Sequence, residues 1–210
     1  MTSKLLALES PRRNAILNAA LKEFATKGYD EASTNVIAKE SGISKGLMFH
    51  YVGSKENLFF LVYDYFTEIM DKEYFELLNL GVKDIFERLR QSYLLQLELV
   101  RKYPWIFELN KLSSASNPEE IKKGIDKRAT EKLSSCNIFE MIDESKFRAD
   151  LDVEKCKQFI LWSNIGFSSQ ILEEARNTEF DHLDYDGIVA KIDNNLQELK
   201  KVFYKQEGEI

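Results

Sequence analysis

The chain has 210 residues and a formal net charge of −6, with 44% apolar and 30% charged residues. That is enough for one large or two modest domains, and nine Gly with only three Pro favour long helices over a β-rich fold. No run approaches about 18 uncharged apolar residues, and the N-terminus lacks an apolar stretch behind positive charge, so a membrane span and a signal peptide are excluded and a cytoplasmic location is expected.

Residues 1–9 carry no strong pattern and read as a short arm. Ser10 as N-cap and Pro11 at the first helical position then open helix 1, whose face is Ile16, Leu17, Ala20, Leu21, Phe24 and Ala25, with Gly28 as the stop. Residues 29–32 read as a loop, and Ser33 or Thr34 caps helix 2. Residues 34–51, TNVIAKESGISKGLMFHY, read as two short helices around a glycine corner. Ala38 is small enough to let the helices approach and Gly42 turns the chain. Ile43 plugs the corner, Ser44 caps the second helix, and Met48 packs back. This is the pattern of a helix-turn-helix.

Val52, Gly53 and Ser54 end helix 3 and cap helix 4, expected over residues 55–78 with Leu58, Leu61, Val62, Tyr65, Phe66 and Ile69 inward. Helix 5 is expected over residues 83–103, ended by Pro104. A short amphipathic helix at 105–114 and a helix starting near Pro118 with Ile121, Ile125, Ala129, Leu133 and Cys136 on one face follow. Residues 153–177 are apolar on two faces, one with Cys156, Phe159, Ile160, Ser163 and Phe167, the other with Leu161, Ile165, Ser168 and Leu172. The last helix, about 185–204, repeats Ile188, Ile192, Leu196, Leu199 and Phe203. Two readings stand for these last two helices: a four-helix interface between two copies of the chain, or interior helices wrapped by their own chain.

Residues 1–57 hold eight Lys or Arg against six Asp or Glu, a balance of +2, and residues 58–210 hold 21 against 29, a balance of −8. The basic part is the helix-turn-helix part, and the local potential rather than the net charge decides attraction to phosphate. Cys136 and Cys156, far apart and without partners at metal-ligand spacing, read as small buried hydrophobes rather than a disulfide or zinc site. Only His50 and His182 are available as imidazoles, and there is no Gly-rich phosphate loop or nucleophile elbow, so neither an enzyme nor a bound cofactor is expected.

The 34–51 stretch, with Ile16, Ala19, Ala20, Lys22 and Phe24 before it and SKENLF at 54–59 after it, resembles the tetracycline-repressor (TetR) family of transcription regulators over roughly the first third of the chain. The resemblance implies an all-α protein with an N-terminal three-helix DNA-binding domain, residues 9–54, and a C-terminal helical ligand-binding and dimerisation domain, residues 55–207, joined by helix 4. It also implies a homodimer on a palindromic double-stranded DNA operator, with repression relieved by a small effector as the family's common mode. Activation by the same fold, and a helical protein-binding scaffold without DNA recognition, are the alternatives.

By the same resemblance the DNA-facing positions are Thr34, Lys45, Gly46, Leu47, Phe49, His50, Tyr51 and Lys55. Thr34 and Lys55 would bind phosphates, and Lys45 and Leu47 would reach base edges. The family commonly has Tyr where this chain has Phe49, which removes a hydroxyl contact to phosphate. A ligand cavity among helices 4 to 8 would draw on Tyr63, Phe66, Tyr93, Gln96, Trp105, Asn110, Phe159, Trp162 and Ser163. Few formal charges lie among these residues, which fits a neutral apolar or aromatic effector. The same aromatics at helical spacing also read as simple core.

Overall fold

The structure, a computed structural model, describes residues 4–114, 117–132, 137–177 and 184–206. Nine α-helices account for most of them: α1 (Ser10–Glu31), α2 (Thr34–Glu40), α3 (Lys45–Val52), α4 (Lys55–Met70), α5 (Ile85–Lys102), α6 (Leu109–Ser114), α7 (Glu119–Lys132), α8 (Val153–Asn177) and α9 (Tyr185–Phe203). Strands are absent among the described residues, apart from a single antiparallel bridge between Phe147 and Tyr204. Cys136, Leu133 and His182 lie outside the described residues, as does the side chain of Ala129.

Packing divides the chain into two compact units, Met1–Lys72 with Tyr103–Ser134, and Glu73–Lys102 with Ser135–Ile210. These are not the two segments drawn at residue 54 from the sequence. In the first unit α1 packs on α2, α4 and α6, and α4 packs on α3, α6 and α7. The core there is Ile16, Leu17, Ala20, Leu21, Phe24, Ile37, Met48, Leu58, Phe59, Val62 and Phe66, all nearly inaccessible. Each large apolar side chain so buried contributes roughly 1.5–3 kcal/mol relative to exposure. Phe24, Tyr29 and Phe59 meet around one point of this core, with Phe59 edge-on to both other rings. A further close approach joins α4 and α7. A Cβ on Gly124 would run into the tip of the Phe60 ring, so any larger residue needs that ring to move, and Arg128 stacks 4.0 Å from the same ring while its guanidinium meets Asp64 at 2.9 Å.

The second unit is built on α5, against which both α8 and α9 pack. Two of its features are polar. Arg88 is fully buried and spends its guanidinium on the carbonyls of Leu80, Val82, Ile138 and Glu140, at 2.6–3.0 Å. Asp84 caps the start of α5 through the N–H groups of Phe86 and Glu87, and its carboxylate also meets Lys146 at 2.8 Å and Lys200 at 3.6 Å. Burial pushes the Asp84 carboxyl up, but the Lys146 hydrogen bond, the Lys200 charge and the Glu87 N–H outweigh it and hold the group below the usual carboxylate range.

Three expectations change. Helix 4 stops at Met70 rather than near Leu78 and passes into a π-helical turn, Asp71–Phe75. Apolar spacing continues through Tyr74 and Leu78, and that spacing alone does not show the backbone opening to wider hydrogen bonding. Helix 1 breaks at Gly28 as expected, where φ 72 and ψ 177 leave the helical region, but one further helical turn to Glu31 follows where a loop is expected. Its N-cap is Glu9, and Ser10 is already helical. Finally, Ile188, Ile192 and Leu196 on α9 are buried within the chain, facing its own core rather than a partner.

Candidate nucleic-acid interface

Three serines set the frame of the helix-turn-helix. Ser33 Oγ accepts from Val36 N at 3.5 Å, Ser44 Oγ from Leu47 N at 3.2 Å and Ser54 Oγ from Asn57 N at 3.0 Å, so α2, α3 and α4 each start on a side-chain cap. Between α2 and α3 Gly42 takes φ 69, and Ile43 N closes the corner on Ala38 O at 3.0 Å. Gly53, at φ 79, makes the next corner. The pair is fastened to α1 by two contacts: Glu23 accepts from Ser33 N at 2.8 Å, and Lys22 meets Glu40 at 2.9 Å.

On α3, Met48 and Val52 face inward, leaving Lys45, Gly46 and His50 exposed and Leu47, Phe49 and Tyr51 half-buried. Leu47 and Phe49 are thus less open than expected. The Lys45 ammonium lies 5.9 Å from the centre of the Phe49 ring, a cation–π contact one helical turn long, and the His50 and Tyr51 rings meet edge to face. A Cβ built on Gly46 meets nothing within 4 Å, as is also true of the helical Gly166 on α8. A helical glycine costs roughly 0.5–1 kcal/mol relative to Ala, and the chain's own packing gives no reason for it.

Thr34 is the first residue of α2 and half-buried. Lys55, at the start of α4, is turned toward the end of α1, where its Nζ donates to Asp30 O at 3.0 Å and lies 4.8 Å from the Tyr29 ring. Burial and then the carboxylates of Glu56, Asp30 and Glu120 push the Tyr29 phenol up. On α2 the resemblance gives only Thr34, which is half-buried, whereas Asn35, Val36 and Lys39 are exposed. The signal for them was their spacing from the buried Ile37 and Ala38.

Residues 16–62 match the family model described as "Bacterial regulatory proteins, tetR family". Over this stretch, less than a quarter of the chain, the protein is similar to TetR-family regulators. The chain is also similar to the uncharacterized HTH-type transcriptional regulator YuxN of Bacillus subtilis, 40% identical over 72 residues, which is 34% of this chain and 24% of that protein. The chain therefore matches about a quarter of that curated relative's length. The likeness of fold runs further. A TetR family transcriptional regulator from Chloroflexus aurantiacus superposes with a TM-score of 0.55 at 16% identity, covering 96% of this chain and 97% of that one. AibR, solved in complex with isovaleryl coenzyme A and operator DNA, superposes with a TM-score of 0.51 at 20% identity, covering 90% and 97%. The TetR-like helical fold thus extends through both packing units, and the three-helix arrangement expected from the sequence is present in α1–α3.

The residues named for an effector cavity fall in both packing units. Phe66 is buried in the first, with Tyr65 and Tyr103 edge-on to it at 5.3 and 5.4 Å, while Tyr63 and Trp105 are half-buried and Asn110 is exposed. In the second unit Tyr93 and Gln96 are buried and already engaged. Tyr93 Oη donates to Asn164 O at 3.4 Å; Gln96 donates to Ser92 Oγ at 3.1 Å and accepts from Ser168 at 2.6 Å. Ser163 is half-buried, whereas Phe159 and Trp162 are 51% and 55% exposed, their rings edge to face on the outside of α8. With Leu161 and Ile165 they form an exposed apolar strip on that helix.

Proposed function

We propose that the chain is a transcriptional repressor that binds a palindromic DNA operator as a homodimer and releases it on binding a small apolar or aromatic effector, without catalytic activity and within the cytoplasm. The observation that carries the DNA-binding reading is the outer face of α3, where Lys45, Gly46 and His50 stand open at the start of a capped, glycine-cornered second helix. Lys45 and Leu47 read base edges in the major groove, and the bare Gly46 lets the helix backbone come close. Thr34, Tyr51 and Lys55 hold phosphates, with Phe49 and His50 filling the groove wall. We keep residues 9–54 as the reading head and 55–207 as the regulatory and dimerisation part.

The exposed strip Phe159, Leu161, Trp162 and Ile165 supports the homodimer, since four large apolar side chains together on one helix are costly in water and suit a two-fold interface. Such a dimer holds two α3 helices about 34 to 36 Å apart or somewhat more, the spacing of successive major-groove faces. That one such fold can hold both a small molecule and DNA draws support from AibR, solved with isovaleryl coenzyme A and operator DNA; the apolar character of the effector rests on the aromatic residues alone. Among the described residues no helix is long and apolar enough to cross a membrane.

The test is selection of bound genomic fragments by the purified chain, followed by anisotropy titration of the recovered duplex and of a half-site. Tight binding to a palindrome, weak binding to the half-site and loss of binding in Lys45→Ala carry the proposal. Failure to recover any enriched duplex refutes it.

A further inference from the structure

Asn117 sits between α6 and α7, only 6% exposed, and its side-chain amide is divided between two distant pieces of backbone. Nδ2 donates to Leu112 O at 2.6 Å, and Oδ1 accepts from Tyr29 N at 3.4 Å. Tyr29 directly follows the helix break at Gly28, so the N–H that Asn117 receives belongs to the final turn of α1. That turn is also what holds Lys55. Asp30 O takes one of the three ammonium N–H groups, and the Tyr29 ring lies beneath the charge at 4.8 Å. The Tyr29 ring is in turn fixed against Phe24 and Phe59.

We propose that Asn117 is a positioning residue for DNA binding: by pinning the 28–31 turn it places the Lys55 ammonium at the start of α4, where it meets a phosphate. The proposal rests on the reading of Lys55 as a phosphate contact. A hydrogen bond of 3.4 Å contributes little by its length, but truncating Asn117 leaves the Tyr29 N–H and the Leu112 carbonyl both without this partner, and the turn loses its tie to the start of α7. A shift of the turn moves Asp30 O and the ring together, and the ammonium follows both. The α6–α7 connection, which the sequence assigns to the regulatory part, thereby grips a DNA-facing charge.

Four full-length proteins test this: wild type, Asn117→Ala, Lys55→Ala and the double variant, each titrated with the selected operator across a range of salt. Asn117→Ala is expected to lose three- to tenfold in affinity and to lower the salt slope by about one, the signature of one lost phosphate contact. In the Lys55→Ala background the same change is expected to cost less than twofold. Equal losses in both backgrounds, or an unchanged salt slope in Asn117→Ala, show a merely structural residue and overturn the proposal. If Lys55→Ala itself leaves affinity and slope unchanged, the phosphate assignment falls and this inference falls with it. If Lys55→Ala weakens binding and Asn117→Ala is silent, only the role of Asn117 is lost.

Discussion

Replacing Gly46 with Ala should make the protein more stable and a poorer DNA binder. The added Cβ meets nothing within 4 Å, and Gly46 lies in α3 without a positive φ, so the folded state takes the methyl group without strain. The gain is the helix propensity difference, roughly 0.5–1 kcal/mol. For a chain of this size that raises the melting temperature by about 1–4 °C. Against DNA the same methyl stands where the helix backbone approaches the groove, and a tenfold loss of affinity corresponds to about 1.4 kcal/mol. Differential scanning fluorimetry and anisotropy titration on the selected operator read the two effects separately. Gly42→Ala serves as the contrast: at φ 69 an L side chain is strained although the space is open, so this variant should melt lower by several degrees. A Gly46→Ala protein that melts below wild type, or that binds the operator as tightly as wild type, refutes the argument that its open face is kept for DNA.

Lys45→Ala should lower affinity and relax base preference, seen as a broader set of duplexes on reselection, whereas Lys55→Ala should weaken all duplexes evenly. Trp162→Glu with Ile165→Glu should give folded monomers by sedimentation, since both side chains are more than half exposed in the single chain, with a melting temperature lowered by the lost association and no longer dependent on protein concentration. Ile192→Glu should instead unfold the second unit, because that side chain is fully buried and a charge there has no water and no arranged partner. Asp84 is held below its ordinary range, so its contribution to stability is present above the unfolded carboxylate value near pH 3.8 and is lost as pH falls through the lower folded value. A pH series of melting temperatures should therefore drop more steeply below pH 4 in wild type than in Asp84→Asn.

The helix-turn-helix was legible in the sequence because its signals are local. Gly42 and Gly53 take the left-handed conformations expected of corners, and Ser44 and Ser54 cap as their positions suggest. What local pattern could not give was the partner of each apolar face. The stripe Ile188, Ile192 and Leu196 on α9 has the periodicity of an interface, yet it is consumed inside the chain, while the strip left open lies on α8. Periodicity states that a face is apolar and says nothing of whether α5 or a second copy covers it. The same limit applies to the proposed effector lining: Phe66 and Trp162 are equally aromatic in sequence, but one is buried and the other is 55% exposed.

Surface loops ordinarily accept insertions at small cost, because lengthening a loop adds only a slowly growing closure entropy. The two loops that meet at Arg88 are an exception. The carbonyls of Leu80 and Val82 on one side and of Ile138 and Glu140 on the other solvate a guanidinium that has no access to water. Either loop drawn away strands a charge in a dry interior, at a cost well beyond that of the loop itself. Segments more than fifty residues apart in the chain are therefore bound to one fate in folding. A residue added between Leu80 and Val82 should be felt at Glu140, and the length of both loops is set by one side chain on α5.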